Sequence, residues 1–368
     1  MEYLKANKTI FIFLAIGMIA ITGCRKDDHL EFPAPNTGGT GTGGSGGGAG
    51  EPIYTPVSGT YWTDINPEPG DRIQVLATVE DKLFVSHLWT AGLSALYNGT
   101  TFAYCNQTIL DFGSGSGLHK MQQSSDGTWL ASGSMGAYGA YSWDGTNAGY
   151  PWGTAGYVLT NAYAAVKLGS ETFIACGASP RVRSNGVQVG NDLDGPAYDL
   201  IEFEGELIAG GGFSTSGATA VNNVARWNGL EWLPLGTGLD GTVADLDIWE
   251  GKLVAVGSFE QNGDGNTDCK HVAVWDGVSW EPLGTGLSGS VVVGRKALNN
   301  GTELIIGGTF SYGGGVLSPN VIKWNGTNYE ALAGGAPESI GEMAIYDGDL
   351  YISNQFLITN TNFLLRLD

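Results

Sequence analysis

From about residue 193 the chain states one phrase three times. Leu207-Ile-Ala-Gly-Gly-Gly-Phe213, Asn223-Val-Ala-Arg-Trp-Asn-Gly229 and Glu231-Trp-Leu-Pro-Leu-Gly-Thr-Gly238 return as Leu253 to Phe259, His271 to Gly277 and Ser279 to Gly286. They return again as Leu304 to Phe310, Asn320 to Gly326 and Asn328 to Gly335. Self-similarity at a period of about 45 residues, with several short apolar runs per unit split by Gly-rich turns, indicates four-stranded units repeated around an axis. A chain of this kind buries its apolar faces between neighbouring units.

The second strand of each unit is the best ruler. Its anchor falls at Leu83, Trp129, Phe173, Leu207, Leu253, Leu304 and Leu350, which makes seven units. The third strand ends in an aromatic residue followed by Asx-Gly at Tyr97-Asn98-Gly99, Trp143-Asp144-Gly145, Trp227-Asn228-Gly229, Trp275-Asp276-Gly277 and Trp324-Asn325-Gly326. Asn-Gly and Asp-Gly favour a tight hairpin in which both central residues take positive φ. The third unit has Ser184-Asn185-Gly186 and is the shortest. The chain stops inside the same motif at Leu367-Asp368, and the missing fourth strand is found at the other end, where Trp62 follows Gly59 as Trp232 follows Gly229. The expected fold is therefore all-β: a seven-bladed β-propeller of four-stranded antiparallel blades, its ring closed by an N-terminal strand that hides an otherwise open edge.

A Gly-Gly doublet ending the second strand, an aromatic in the third and a Trp in the fourth resembles the kelch-type propeller repeat. The variant here is similar to repeats of bacterial surface proteins and fungal cortical polarity markers. The resemblance is close over 193–335, and it implies an architecture with no single chemistry.

The N-terminus sets the address. Lys5 and Lys8 precede an apolar run from Ile10 to Ile21 that is short for a membrane span and reads as a signal peptide over 1–23. Ile21-Thr22-Gly23-Cys24 looks like a lipobox, which implies lipidation of Cys24 and attachment to a membrane. Arg25-Lys26-Asp27-Asp28 is similar to the export signal of Bacteroidota-type lipoproteins. The expected location is the outer membrane, facing the cell exterior, with the periplasmic face as the alternative. Residues 24–52, mostly Gly, Thr and Ser from Asn36 on, form a flexible tether, and the propeller occupies 53–368. A net charge of -20 speaks against nucleic acid as a partner. Cys105, Cys176 and Cys269 fall in separate units, so no disulfide is expected.

Sites are sought where the units differ. One position of the first strand, nearest the axis, reads Val75, Lys120, Ala164, Asp199, Asp245, Arg295 and Glu342; its charged members suit either a polar or cationic ligand or mutual pairing. Asn262, Asp264, Asn266 and Asp268 alternate like the first ligands of a calcium loop, but Ala273 stands where an EF-hand has its Glu. Ca2+ is therefore weighed against an ordinary turn, and no other cofactor is expected. Tyr150, Trp152 and Tyr157, in the aromatic-rich stretch 136–157, serve either hairpin packing or a stacking surface for a glycan. His29, His87, His119 and His271 show no metal-ligand spacing. Gly113-Ser-Gly-Ser-Gly117 lacks the strand-to-helix elbow that a nucleophilic Ser requires. The expected function is a non-enzymatic binding or scaffold module for a protein or glycan. The alternatives are a carbohydrate-active lyase or hydrolase using Asp199, Asp245 or Glu342, and a structural part of a secretion, adhesion or motility complex.

Overall fold

The computed structural model describes residues 62–65, 73–79, 81–87, 94–104, 117–133, 140–143, 148–149, 161–354 and 364–367. Cys24, the tether, Cys105, Tyr150, Trp152 and Tyr157 lie outside them.

Every regular element among the described residues is a strand. Among the described residues seven four-stranded antiparallel sheets follow one another in sequence. Their first strands are Ile73–Val79, Leu118–Gln123, Ala162–Leu168, Ala197–Phe203, Val243–Trp249, Val293–Asn299 and Ile340–Tyr346. Each first strand packs against that of the next sheet, and Ile73–Val79 also packs against Ile340–Tyr346. The outer strand of the seventh sheet comes from the N-terminal side: Trp62–Asp64 pairs antiparallel with Leu364–Leu367, Trp62 opposite Leu367. That is the pairing the sequence assigns to the strand around Trp62.

The apolar residues form seven wedges between sheets in place of one central core. Leu200, Leu207 and Trp232 of the fourth sheet cluster with Val166, Phe173 and Val182 of the third. Phe203 and Ile208 of the fourth cluster with Leu253, Trp275 and Trp280 of the fifth. Because side chains alternate along a strand, each sheet feeds the wedge on either side of it. Each fully buried large apolar side chain contributes roughly 1.5–3 kcal/mol to folding.

Fourth-strand aromatic residues bolt consecutive sheets together. The Trp232 indole donates to the Val189 carbonyl at 3.0 Å, Trp280 to Leu235 at 3.1 Å, and the Tyr329 hydroxyl to Leu283 at 2.7 Å. Each partner carbonyl belongs to the segment that leaves the preceding sheet. Trp and Tyr thus occupy one register position for two reasons, apolar volume and a donor at the tip.

The hairpins after the third strand differ from expectation. Gly99, Gly229, Gly277 and Gly326 have φ between 90° and 99°, but the Asx before each does not have positive φ. Its side chain works instead as a turn cap: Asn228 Oδ1 accepts from the amides of Leu230 and Glu231, both at 2.9 Å. Asp276 does the same for Val278 and Ser279 at 2.8 and 2.7 Å. The turn with both central residues at positive φ occurs at Asn185-Gly186, φ 49° and 77°, in the unit that has lost the aromatic. The same backbone closes the hairpins between first and second strands at Glu204-Gly205 and Glu250-Gly251.

Candidate binding funnel

Near the start of every first strand the ladder slips by one residue. In the fourth sheet Ala197 pairs with Gly211 and Asp199 with Gly210; in the fifth Val243 pairs with Gly257 and Asp245 with Val256. This is a β-bulge. Glycine faces it because the bulged backbone comes so close: a Cβ on Gly211 would stand 2.1 Å from the Pro196 carbonyl oxygen, and one on Gly257 2.0 Å from that of Thr242. His87, Cys176 and Asn354 stand opposite the same bulge in the first, third and seventh sheets, so glycine accommodates the bulge without being required for it, and the bulge selects which residue follows it on the axis side.

The residues after the bulge are Val75, Lys120, Ala164, Asp199, Asp245, Lys296 and Glu342. Lys296 replaces the expected Arg295. Gly294 pairs with Gly308 and Lys296 with Gly307, so Arg295 is the extra residue of the bulge. Small Ala297 holds the anchor that larger apolar residues mark in most other units, and a count from sequence slips by one.

The charged members meet across the axis, Lys120 with sheets that are not its neighbours and Lys296 with the two that are. Lys120 of the second sheet donates to Asp199 of the fourth and, at 3.1 Å, to Asp245 of the fifth. Lys296 lies 3.3 Å from Asp245 and 3.8 Å from Glu342. The two aspartates also hold the next sheet: Asp199 accepts from the Leu246 amide at 2.8 Å and Asp245 from the Ala297 amide at 3.0 Å. Burial of the five groups in one cluster sets their protonation. Burial pushes the Glu342 carboxyl up to about 7, with Lys296 only partly opposing it. Burial also raises Asp199. Asp245 feels the same burial, but Lys120 and Lys296 beside it hold it below its ordinary range. Both lysines stay charged, because the carboxylates around them outweigh the burial that would discharge them.

On one side of this plug opens a funnel of about 670 Å³. Lys120, Asp245 and Lys296 line it, together with Gln122, Gln123, Trp129, Glu202 and Asp247. Its polar wall is braced. Gln122 donates to the Leu200 carbonyl at 3.1 Å, leaving its own carbonyl oxygen as an acceptor, and Ser125 donates to Glu202 at 2.5 Å. Asp247 accepts from the amides of Ile248 and Asn299 at 2.8 and 2.7 Å, and burial beside charged Asp245 raises it to about 6. Trp129 is half-buried. The other sheets place Leu at its register position, except the third, which has Thr172 there, and those leucines are buried. Asp247 and Trp129 escape the sequence reading. The signal for Asp247 was its alternation with Asp245, since residues two apart on a strand share a face.

The loop 262–268 is tied to itself. Asn262 Oδ1 accepts from the amides of Asn266 and Thr267 at 3.0 and 3.1 Å, Asp264 from that of Asn266 at 3.1 Å, and Asp268 from the Gln261 side chain at 2.9 Å. These bonds make it an Asx-capped hairpin. Cys176 and Cys269 are buried thiols, and burial pushes them up to about 11 and 12.

No known family profile matches the sequence, and no curated protein matches it. Solved structures do. Over 85% of its length the chain is similar to the extracellular domain of BT4673 from B. thetaiotaomicron, with a TM-score of 0.56 at 7% identity, and it spans 42% of that structure. A second structure of that domain gives a TM-score of 0.55 at 8% identity, covering 86% of this chain and 43% of the other. YCF48 bound to D1 peptide is similar at a TM-score of 0.51 and 12% identity, over 85% of this chain and 99% of YCF48. These likenesses and the radial sheets give the chain a β-propeller fold.

Proposed function

We propose that the chain is an exported lipoprotein, anchored through Cys24 to the outer membrane and facing the exterior, whose closed seven-bladed propeller binds a glycan in the funnel without turning it over. The observation that carries this reading is the funnel wall: a half-buried indole at Trp129 set among braced amides and carboxylates. An aromatic platform with a few fixed polar groups is what a sugar ring requires, apolar contact on one face and hydrogen bonds at its edge. The carboxylates below are occupied. Asp199 and Asp245 each hold a lysine and a backbone amide, which suits them to bracing more than to proton transfer. An exported location agrees with the likeness to an extracellular domain.

With the lysines consumed by the plug and Glu202 and Asp247 on the wall, the ligand is a neutral or amino sugar and not a uronic acid or sulfated glycan. Presenting the protein to an array of neutral, amino and acidic oligosaccharides, with product analysis on every hit, tests this. Binding confined to acidic glycans, or cleavage of a bound glycan that Asp247→Asn abolishes, would overturn it.

A further inference from the structure

We propose that a slot between the third and fourth sheets is a second binding site, shaped for the cationic side chain of a lysine or arginine on a protein partner. The slot has a volume of about 300 Å³ and is lined by Leu168, Phe173 and Trp227, by Glu171 and Glu206, and by the turn residue Gly229.

It opens where a first strand ends without an aromatic ring beside a half-buried third-strand Trp; Val79, Gln123 and Asn299 also end first strands without a ring, but the third and fourth sheets bring Leu168 and Trp227 to one slot. The first strands of the fourth, fifth and seventh sheets end in Phe203, Trp249 and Tyr346, all buried. Tyr346 comes within 3.9 Å of where a Cβ on Gly99 would stand in the following sheet, and Trp249 within 3.7 Å of that on Gly326. The third sheet ends in Leu168 instead, and nothing comes within 4 Å of the corresponding position on Gly229; Phe203, the smallest of the three rings, leaves Gly277 open in the same way, so the difference lies in the exposure of the Trp. The missing ring leaves Trp227 half-buried, where its counterparts Trp275 and Trp324 are buried.

The chemistry of the walls names the occupant. An aromatic face beside carboxylates attracts a cation through both the ring quadrupole and the charge. Glu206 is met by Arg226 at 3.0 and 3.2 Å, whereas exposed Glu171 has only a long bond of 3.4 Å from Ser184. The residue after each neighbouring turn glycine is an exposed aliphatic: Val187, paired with Ser184, is 64% exposed and Leu230 is 79% exposed. Val278 of the fifth sheet, also 79% exposed, continues the row, while the first and sixth sheets carry Thr100 and Thr327 at this position. A basic residue between aliphatic ones fits both features at once. A second copy of a chain with net charge -20 would be repelled, so the partner is a different, basic protein surface.

The test follows the indole resonance of Trp227, assigned with Trp227→Phe, in the full-length chain labelled with ¹⁵N-tryptophan. Acetyl-Leu-Arg-Leu-amide is expected to shift it saturably, and acetyl-Leu-Gln-Leu-amide to bind at least about threefold more weakly. Glu171→Gln is expected to weaken the arginine peptide about two- to fivefold. Leu168→Tyr, which supplies the ring found at Tyr346, is expected to abolish the shift with the melting temperature unchanged. No response at Trp227, an equal response to both peptides, or a response that survives Leu168→Tyr would overturn the proposal. Glycan binding in the funnel is read separately and is untouched by any of these outcomes.

Discussion

Lys120 of the second sheet and Asp245 of the fifth meet at 3.1 Å, so one ammonium group spans the axis of the propeller. The same group holds Asp199, and both aspartates hold the backbone of the next sheet. Removing it leaves buried Asp199 without a counter-charge, while Asp245 keeps Lys296 at 3.3 Å; an unpaired buried carboxylate is costlier than the lost attraction alone. Lys120→Met is expected to destabilise the fold by about 3–5 kcal/mol in urea unfolding. Adding Asp199→Asn to it should recover part of that loss. A cost below about 1 kcal/mol would show that the plug does not brace the ring.

Stability should fall as pH rises from about 5 to 8. Folding raises Glu342 from 4.5 to about 7 and Asp247 from 3.8 to about 6, so these two groups bind more protons in the folded state across this window and outnumber buried His271, which is lowered from 6.5 and acts in the opposite sense. Asp245, shifted the other way, matters only below its ordinary range. Glu342→Gln should therefore raise stability at pH 8 by about 1–3 kcal/mol and flatten the slope. Melting curves across the range check both; a slope of opposite sign, or an unchanged one in the variant, would contradict the assignment.

The repeat explains why so much of the fold was legible and the site was not. The Leu, Trp and Gly of each unit serve packing between sheets and recur because the geometry recurs, so strand order and the pairing of Trp62 with Leu367 could be read by eye. The axis position depends on a bulge, which adds a residue without a marker of its own; where Ala297 stands in place of a larger anchor, a count along the sequence lands on Arg295, one residue short of Lys296. Trp129 was hidden by its register. It stands where Leu83 and Leu207 pack, and only the funnel beside it distinguishes it from them.

Tyr329 offers a clean measure of the bolts between sheets. Tyr329→Phe keeps the ring and removes the 2.7 Å bond to the Leu283 carbonyl, which retains the Gly286 amide as a donor at 3.1 Å. The expected cost is about 0.5–1.5 kcal/mol by denaturant unfolding, the net value of one hydrogen bond. No measurable cost would place the stabilisation in ring packing alone.

Anchoring has its own test. Cys24→Ser is expected to move the protein from the membrane to the soluble fraction and to abolish acyl labelling, while the lipidated form is degraded by protease added to intact cells. Protection of the lipidated form would place it on the periplasmic face.

The funnel is tested most directly by Trp129→Leu, which installs the residue that Leu83, Leu207 and Leu253 supply at the same register and so keeps an apolar side chain against the wedge of Val75, Ala77 and Phe84 on which Trp129 packs. Calorimetric titration of both proteins with a neutral or amino oligosaccharide selected by array should show affinity falling about tenfold, the loss of one aromatic stacking contact, at an unchanged melting temperature. Equal affinity in the two proteins would contradict a glycan site in the funnel.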